Sequence, residues 1–159
     1  MVQRNRALSE SEIRPPSTGV KTQKCGKAKC KTCPFLFTAS DNIIVNGMAV
    51  FLDFSLNCSD KYIIYIAQCT ICSKLATQNL NDDTYFGQTV TAMNTRMNNH
   101  RAKFVIDSRL LFEKSALSMH CYLAHKSEFS MDLFKLGIVK QARPVDLNRA
   151  EESFIKKTH

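Results

Sequence analysis

The spacing of the cysteines constrains this chain more than any other feature. Six of its seven cysteines fall in groups, at positions 25, 30 and 33, at 58, and at 69 and 72. The pairs Cys30/Cys33 and Cys69/Cys72 have the Cys-x2-Cys spacing that lets two thiolates bind one tetrahedral ion. The N-terminal residues lack the apolar stretch of a secretory signal. Because an intracellular setting disfavours disulfides, the sequence predicts structural metal sites, with zinc as the ion.

Two histidines extend the ligand set, since His120 and His125 have the spacing of a ligand pair. Two partitions are open. In the first, one zinc ion is bound by two cysteines and both histidines, namely Cys69, Cys72, His120 and His125. A second zinc ion is bound by four thiolates, those of Cys25, Cys30, Cys33 and Cys58. In the second, the two Cys-x2-Cys pairs form a single four-thiolate site. The first partition uses every clustered ligand and leaves only Cys121, which we interpret as a small buried hydrophobe.

The apolar pattern predicts an α+β fold, with a small central antiparallel or mixed sheet flanked by helices. An Asn46-Gly47 step between two apolar runs is a strong signal of a β-hairpin. Residues 62–66 are apolar on both faces of a strand, as expected of a central position. Thr89 or Thr91 is expected to cap the first helix. We expect strands also at 35–37, 84–87 and 132–139, and helices at 92–104, at 108–124 and after Pro144.

Composition divides the chain into three parts. Residues 1–24 are predicted to be a flexible basic arm, 25–60 a cysteine knuckle with the hairpin, and 61–159 a globular domain. The formal net charge is +8, and residues 1–33 contain eight Lys or Arg against two Glu. Such an excess at one end favours a polyanionic partner. No apolar run approaches the ~18 residues of a membrane span, so no membrane partner is predicted.

Four residues of the types used in phosphodiester chemistry follow one another along the chain: Tyr65, Tyr85, Arg96 and Glu151. Each has a simpler structural explanation when taken alone. A tyrosine can pack in a strand, an arginine can lie solvated on a helix, and an acidic residue is favoured in a first helical turn. Their order and spacing together are more informative than any single residue.

These motifs carry a resemblance to a known family. The chain resembles the GIY-YIG nuclease superfamily, and within it the endonuclease module of Penelope-like retroelements, over about residues 25–158. The motifs are Ile63-Ile64-Tyr65, Tyr85-Phe86-Gly87, Arg96 and Glu151. The matching stretches are 25–35, 62–72, 85–89, 96–101, His120 with His125, and 149–155. Ile63 stands where the superfamily name has Gly, and Phe86 stands for the usual Ile or Val. The resemblance makes 61–159 a GIY-YIG-like nuclease domain.

The resemblance implies a metal-dependent DNA endonuclease of a mobile genetic element, which nicks DNA by phosphodiester hydrolysis. The implied catalytic residues are Tyr65, Tyr85, Arg96, His100 and Glu151. Glu151 would bind Mg²⁺ or Mn²⁺, because Mg²⁺ uses only one or two protein carboxylates. Arg96 would bind the scissile phosphate, since a guanidinium fork matches phosphate oxygens. The two zinc ions would be structural, and the Cys-Cys-His-His set agrees with the Penelope-like group.

The same resemblance implies DNA as the partner, a nuclear location, and a reverse transcriptase domain in a longer parent protein. A second function class is a zinc-stabilised nucleic-acid-binding module without catalysis, or a decayed retroelement fragment. The positive charge of the arm and the clustered cysteines are consistent with both function classes. The set Tyr65, Tyr85, Arg96 and Glu151 distinguishes them, because binding alone does not require it.

Overall fold

One central strand, β3 (Ile63–Cys69), organises the fold. It pairs antiparallel with β4 (Thr84–Thr89) on one side and with β5 (Phe134–Gln141) on the other. All its residues except Gln68 are buried, as predicted for a strand covered on both faces. The structure is a computed structural model that describes residues 21–74, 84–104, 115–125 and 128–158. Within these ranges it contains two antiparallel sheets and four α-helices, which confirms the α+β class.

The second sheet is the predicted hairpin. Strands β1 (Ile43–Val45) and β2 (Met48–Val50) pair antiparallel, with Val45 opposite Met48. The two turn residues both have positive φ, 50° for Asn46 and 76° for Gly47. Asn and Gly adopt this left-handed backbone at low cost, which is why their succession indicates a two-residue hairpin turn.

The four α-helices are α1 (Thr70–Lys74), α2 (Met93–Arg101), α3 (Ala116–Ala124) and α4 (Leu147–Thr158). The predicted threonine cap of α2 is wrong, because its N-cap is Ala92 and no side chain caps it. Carbonyls of the loop before β3 accept the first N–H groups instead: Asn94 N donates to Cys58 O at 2.8 Å and Met93 N to Asp60 O at 3.2 Å. A neighbouring loop thus supplies the acceptors that a capping side chain would otherwise provide.

The structure also differs from the expected elements at residues 35–37 and at helix α1. The predicted strand at 35–37 is wrong, because Cys33–Phe35 is a 3₁₀ helix in which Pro34 fixes the first turn. Within 35–37, Leu36 alone makes a β-bridge, parallel to Leu136. Helix α1 was not expected from the sequence. Residues 1–20 of the arm, residues 75–83, and residues 105–114, which include 108–114 of the expected second helix, lie outside the described residues.

The core has two parts, one on each face of the central sheet. Tyr65 packs with Met93, Met97 and Leu117 on one face. Ile64 and Ile66 lie on the other face with Phe86 and the inward residues of the hairpin. Because Cys58 belongs to the same cluster as Tyr65, the cysteine knuckle and the central sheet share one core.

Gln23 anchors the start of the described chain to this sheet. Its side chain is fully buried, and its amide nitrogen donates to the carbonyls of Asp53 at 2.7 Å and Ile138 at 2.9 Å. Its amide oxygen accepts from Ile138 N at 2.7 Å. The side-chain amide thus bonds to the backbone of β5 much as a neighbouring strand would.

Candidate active site and metal centres

The register of β3 and β4 brings two tyrosines together. Tyr65 lies opposite Gly87, and Tyr85 lies opposite Ala67. Since side chains alternate between faces, Tyr65, Tyr85 and Gly87 share one face of the sheet. The two rings are 6.2 Å apart between centroids. A Cβ atom at Gly87 would lie 2.5 Å from Cζ of Tyr65 and 2.7 Å from Cε1 of Tyr85. Glycine is therefore required here because the phenol rings occupy the space of a side chain.

Helix α2 covers this face with Arg96 and His100, which are one helical turn apart. The Tyr65 hydroxyl and His100 Nε2 are 2.9 Å apart, and Arg96 Nε donates to the same hydroxyl at 3.5 Å. On the far side of the imidazole, Nδ1 is 2.9 Å from Ser115 Oγ. If His100 carries its proton on Nδ1, it donates to Ser115 and accepts from Tyr65. The four side chains form one continuous hydrogen-bonded chain.

Burial determines the protonation states of the side chains in this hydrogen-bonded chain. Burial, reinforced by the positive charge of Arg96, lowers the pKa of His100 to about 4, so the imidazole is neutral at pH 7. Burial, with a contribution from Tyr85, raises the pKa of Tyr65 and outweighs the opposing effect of Arg96. The Tyr65 side chain is 0% exposed. Proximity of Arg96 alone therefore does not make Tyr65 a ready base.

Tyr85 and Arg96 are half-buried, whereas Tyr65 and His100 are buried. Arg96 lines a cleft of about 460 Å³ with Gln88, Asn99 and Pro144. The hydrogen bond to Tyr65 raises the pKa of Arg96 further, so the guanidinium group stays positively charged at neutral pH. The site thus consists of a buried polar support beneath a cleft that carries a fixed positive charge.

Glu151 lies on α4, which packs against β4 and β3. Its carboxyl group is half-buried, and burial together with the nearby Glu152 raises its pKa. Among the described residues, no hydrogen bond or ion pair joins Glu151 to Tyr65, Tyr85, Arg96 or His100. The structure thus brings four of the five predicted residues together and leaves the fifth without a bond to them. A half-buried carboxylate that no described side chain neutralises is chemically suited to a cation.

The first metal group contains two cysteines and two histidines. Cys69 ends β3 and Cys72 follows in α1, while His120 lies in α3 and His125 directly after it. Cys69 Sγ and Cys72 Sγ are each 3.2 Å from His125 Nε2, and Cys72 Sγ is 3.5 Å from His120 Nε2. Zinc bonds of ~2.3 Å to sulfur and ~2.0 Å to nitrogen place tetrahedral ligands roughly 3.3–3.8 Å apart. The four donor atoms are close to that arrangement.

The second metal group consists of the other four clustered cysteines. Sulfur atoms lie 3.6 Å apart in the pairs Cys25–Cys33 and Cys30–Cys58, and 3.5 Å apart in Cys33–Cys58. In each group all four ligand atoms lie within 4.8 Å of one another, so both groups could hold a metal ion such as zinc. The structure brings the eight side chains together in the two groups of the first partition. It does not bring Cys69 and Cys72 together with Cys30 and Cys33, as the single four-thiolate site requires.

Cys121 is fully buried and belongs to neither group. Burial, with the neighbouring Cys69, raises its pKa to about 11, as expected of an inert thiol. The sequence reasoning missed Ser115 and Gly87 as parts of the site. A serine directly before the Ala-Leu-Ser-Met segment is a helix-start signal and could have marked Ser115. The role of Gly87 depends on the strand register, which the sequence does not give.

Comparisons of the chain with protein-family models, with curated proteins and with solved structures find no match. Among the described residues, no helix has both the length and the apolar composition needed to cross a bilayer.

Proposed function

We propose that this chain is a metal-dependent DNA endonuclease of the GIY-YIG type that belongs to a mobile genetic element. The observation that carries the proposal is the hydrogen-bonded chain from Arg96 through Tyr65 and His100 to Ser115, beneath a cleft lined by Arg96. A nucleic-acid-binding module does not need such a chain. Buried polar groups cost free energy unless they are fully bonded, so their presence favours a chemical role.

In this proposal Arg96 binds the scissile phosphate. Its Nε donates to the Tyr65 hydroxyl at 3.5 Å, which orients the guanidinium group towards the cleft. A guanidinium held in place costs little reorganisation when negative charge develops on the phosphate oxygens. Tyr65 therefore acts as a positioning residue, consistent with its complete burial.

Tyr85 is the tyrosine that can reach a substrate, because it is only half-buried. Hydrolysis forms a bond from a water oxygen to phosphorus and breaks the bond to one ester oxygen, which takes up a proton. We assign to Tyr85 the orientation of the water. The neutral His100 accepts the hydrogen bond of the Tyr65 hydroxyl at Nε2 and so holds Tyr65 in position, while the attacking water supplies the proton that the ester oxygen takes up. Glu151 would hold a divalent cation such as Mg²⁺, which would supply charge neutralisation at the phosphate.

The two metal groups are proposed to bind structural Zn²⁺. Each set consists of four cysteine or histidine ligands and offers no position for a substrate, as in structural zinc sites. The substrate is proposed to be DNA in the nucleus, and the parent protein is proposed to carry a reverse transcriptase domain.

A plasmid assay tests the proposal. Supercoiled plasmid incubated with the protein should become nicked with Mg²⁺ present and stay intact without it. Glu151→Gln should abolish nicking while retaining most DNA binding. Glu152→Gln, one position away and exposed, is the matched control and should nick normally. Nicking by Glu151→Gln at the full rate would remove Glu151 from the site.

The second candidate is a zinc-stabilised nucleic-acid-binding module without catalysis, or a decayed retroelement fragment. One observation favours it, which is that Glu151 makes no bond to the other four residues within the described part of the chain. DNA binding by the folded, zinc-loaded protein without nicking at any Mg²⁺ or Mn²⁺ concentration would select this candidate.

A further inference from the structure

A separate cavity of about 630 Å³ lies between the cysteine knuckle, the end of α2 and the segment before β5. Its size falls within the ~300–1,000 Å³ typical of ligand sites. The knuckle contributes Lys29, Lys31 and Phe35, α2 and its end contribute Arg101 and Phe104, and the third segment contributes Phe129 and Asp132. None of these residues belongs to the active site described above.

The charge of the cavity is positive. Lys29 and Lys31 are exposed, and Arg101 is half-buried. Asp132 is the one acidic residue among the lining residues that the structure describes, so the three cations exceed the anionic charge by two. Arg101 also fixes the wall, because its Nη2 donates to Lys31 O at 3.1 Å and its Nη1 to Asn98 Oδ1 at 3.0 Å. The guanidinium therefore joins α2 to the knuckle while keeping its charge at the opening.

The cavity also presents aromatic rings. Phe104 and Phe129 lie 5.0 Å apart between ring centroids, and Phe35 lines the same space. All three are half-buried, so each ring keeps part of its surface open to the cavity. Cationic side chains beside accessible aromatic rings are the arrangement by which proteins bind unpaired nucleotides: the rings stack on bases and the cations contact phosphates.

We propose that this cavity binds an unpaired, single-stranded segment of the DNA substrate. The choice of DNA as the polymer rests on the proposed endonuclease function. A paired base cannot stack on a side chain within a duplex, so the cavity is selective for unpaired nucleotides. The preferred substrate is then DNA with a single-stranded segment next to a duplex. Arg101 and His100 are neighbours in α2, so the same helix faces both the cavity and the active site.

Fluorescence polarisation tests the proposal by comparing a 20-nucleotide single strand with the matching blunt duplex. Binding is measured without added Mg²⁺ and without chelator, so that no cutting occurs and bound zinc is retained. We expect the wild-type protein to bind the single strand more tightly than the duplex. Equal or tighter binding of the duplex would overturn the proposal. Tighter binding of the same sequence as RNA would overturn the assignment to DNA.

Two matched pairs of charge reversals locate the binding surface. The double variant Lys29→Glu/Lys31→Glu should weaken single-strand binding at least tenfold more than Lys61→Glu/Lys140→Glu. The second pair changes the charge equally at exposed lysines outside the cavity. An equal loss in both pairs would show that binding depends on overall charge, and would overturn the proposal.

The aromatic contact has its own test. Phe104→Leu keeps an apolar side chain in the core but removes the ring, and should weaken single-strand binding by at least about fivefold with an unchanged melting temperature. If Phe104→Leu lowers the melting temperature, Phe35→Leu provides the same test of the ring contact. Photocrosslinking with a strand containing 5-iododeoxyuridine should modify Phe35, Phe104 or Phe129. Crosslinks confined to other residues would contradict the proposal.

The outcomes separate this cavity from the endonuclease proposal. If plasmid nicking is absent but the cavity variants lose single-strand binding, the endonuclease function is wrong and the nucleotide site stands. If nicking is present and the cavity variants bind single strands as well as their controls do, the nucleotide site is wrong and the endonuclease function stands.

Discussion

Gly87 lies opposite Tyr65 across β3 and β4, and the space of its missing side chain is filled by the Tyr65 phenol. Residue 87 therefore determines where the Tyr65 hydroxyl lies relative to His100 and Arg96. The Tyr-x-Gly spacing follows from the geometry of a strand pair, independently of any family resemblance.

Gly87→Ala should displace the Tyr65 ring and reduce nicking much more than DNA binding. Forcing a methyl group into a packed site typically costs about 1–3 kcal/mol of unfolding free energy. Gly47→Ala is the comparison, because Gly47 has a positive φ but no atom within 4 Å of an added Cβ. We expect both variants to be destabilised in urea unfolding, but only Gly87→Ala to lose nicking. Equal nicking rates in the two variants would contradict a positioning role for Gly87.

Arg96→Ala should lower the nicking rate at least ~10²-fold, because a fixed charge acts mainly on the transition state. Arg101→Ala should instead weaken substrate binding and change the rate at saturation little, because Arg101 lines the separate cavity. Single-turnover rates measured across a DNA titration separate the two effects. If both variants lose rate and affinity in the same proportion, Arg96 is only part of a diffuse basic surface.

His100 should make stability depend on pH below neutrality. Its pKa in the folded protein is about 4, against an ordinary value of 6.5, so the unfolded chain binds the proton more readily. Its contribution is fully present above pH 6.5 and is lost as the pH falls towards 4, by roughly 3 kcal/mol in total. Comparing the wild type with His100→Gln isolates this effect from the titration of the metal ligands. A pH profile of unfolding free energy that is parallel in the two proteins would contradict it.

We expect two zinc ions per chain by elemental analysis of the purified protein. Cys69→Ser should lower the melting temperature and the nicking activity together, because metal binding contributes folding free energy outright. Cys121→Ser should change both little, since Cys121 is buried beside the site without being a ligand. A zinc content near zero would contradict zinc binding by either group.

Two truncations separate the arm from the fold. Removing residues 1–20 deletes Arg4, Arg6 and Arg14, and should weaken DNA binding and reduce its salt dependence, because each phosphate contact releases counterions. The melting temperature should stay the same. Removing residues 1–24 also deletes Gln23, so that Asp53 O and Ile138 N lose their hydrogen bonds to its side chain, at about 1–3 kcal/mol each. Equal melting temperatures in the two truncations would contradict the anchoring role of Gln23.

The sequence predicted those features that depend on local chemistry. The Asn46-Gly47 turn, the central strand and the eight candidate metal ligands follow from residue type and spacing, whereas only the fold distinguishes the two partitions of those ligands. The cap of α2 was not predictable, because carbonyls from distant positions replace a capping side chain. The strand expected at 35–37 failed because Pro34 favours a helical turn over an extended backbone.

Within the candidate site, the family resemblance pointed to Tyr65, Tyr85, Arg96 and His100 but did not indicate which of them are buried. Only the folded structure reveals that Tyr65 is buried and Tyr85 accessible, because burial depends on how α2 covers the sheet. Ser115 was missed because its role depends on the position of a histidine 15 residues away.

The two metal groups enclose β3 in the sequence, since Cys58 precedes the strand and Cys69 ends it. Tyr65 lies in β3 between these two cysteines, and its side chain must face α2. One residue inserted or deleted between Tyr65 and Cys69 would turn Tyr65 to the opposite face, unless the strand slipped and pulled Cys69 from its group. Length variation should therefore be tolerated least between Tyr65 and Cys69, and more readily in the loop before Ile63. Single-residue insertion scanning across 58–69 would define this segment as a molecular ruler.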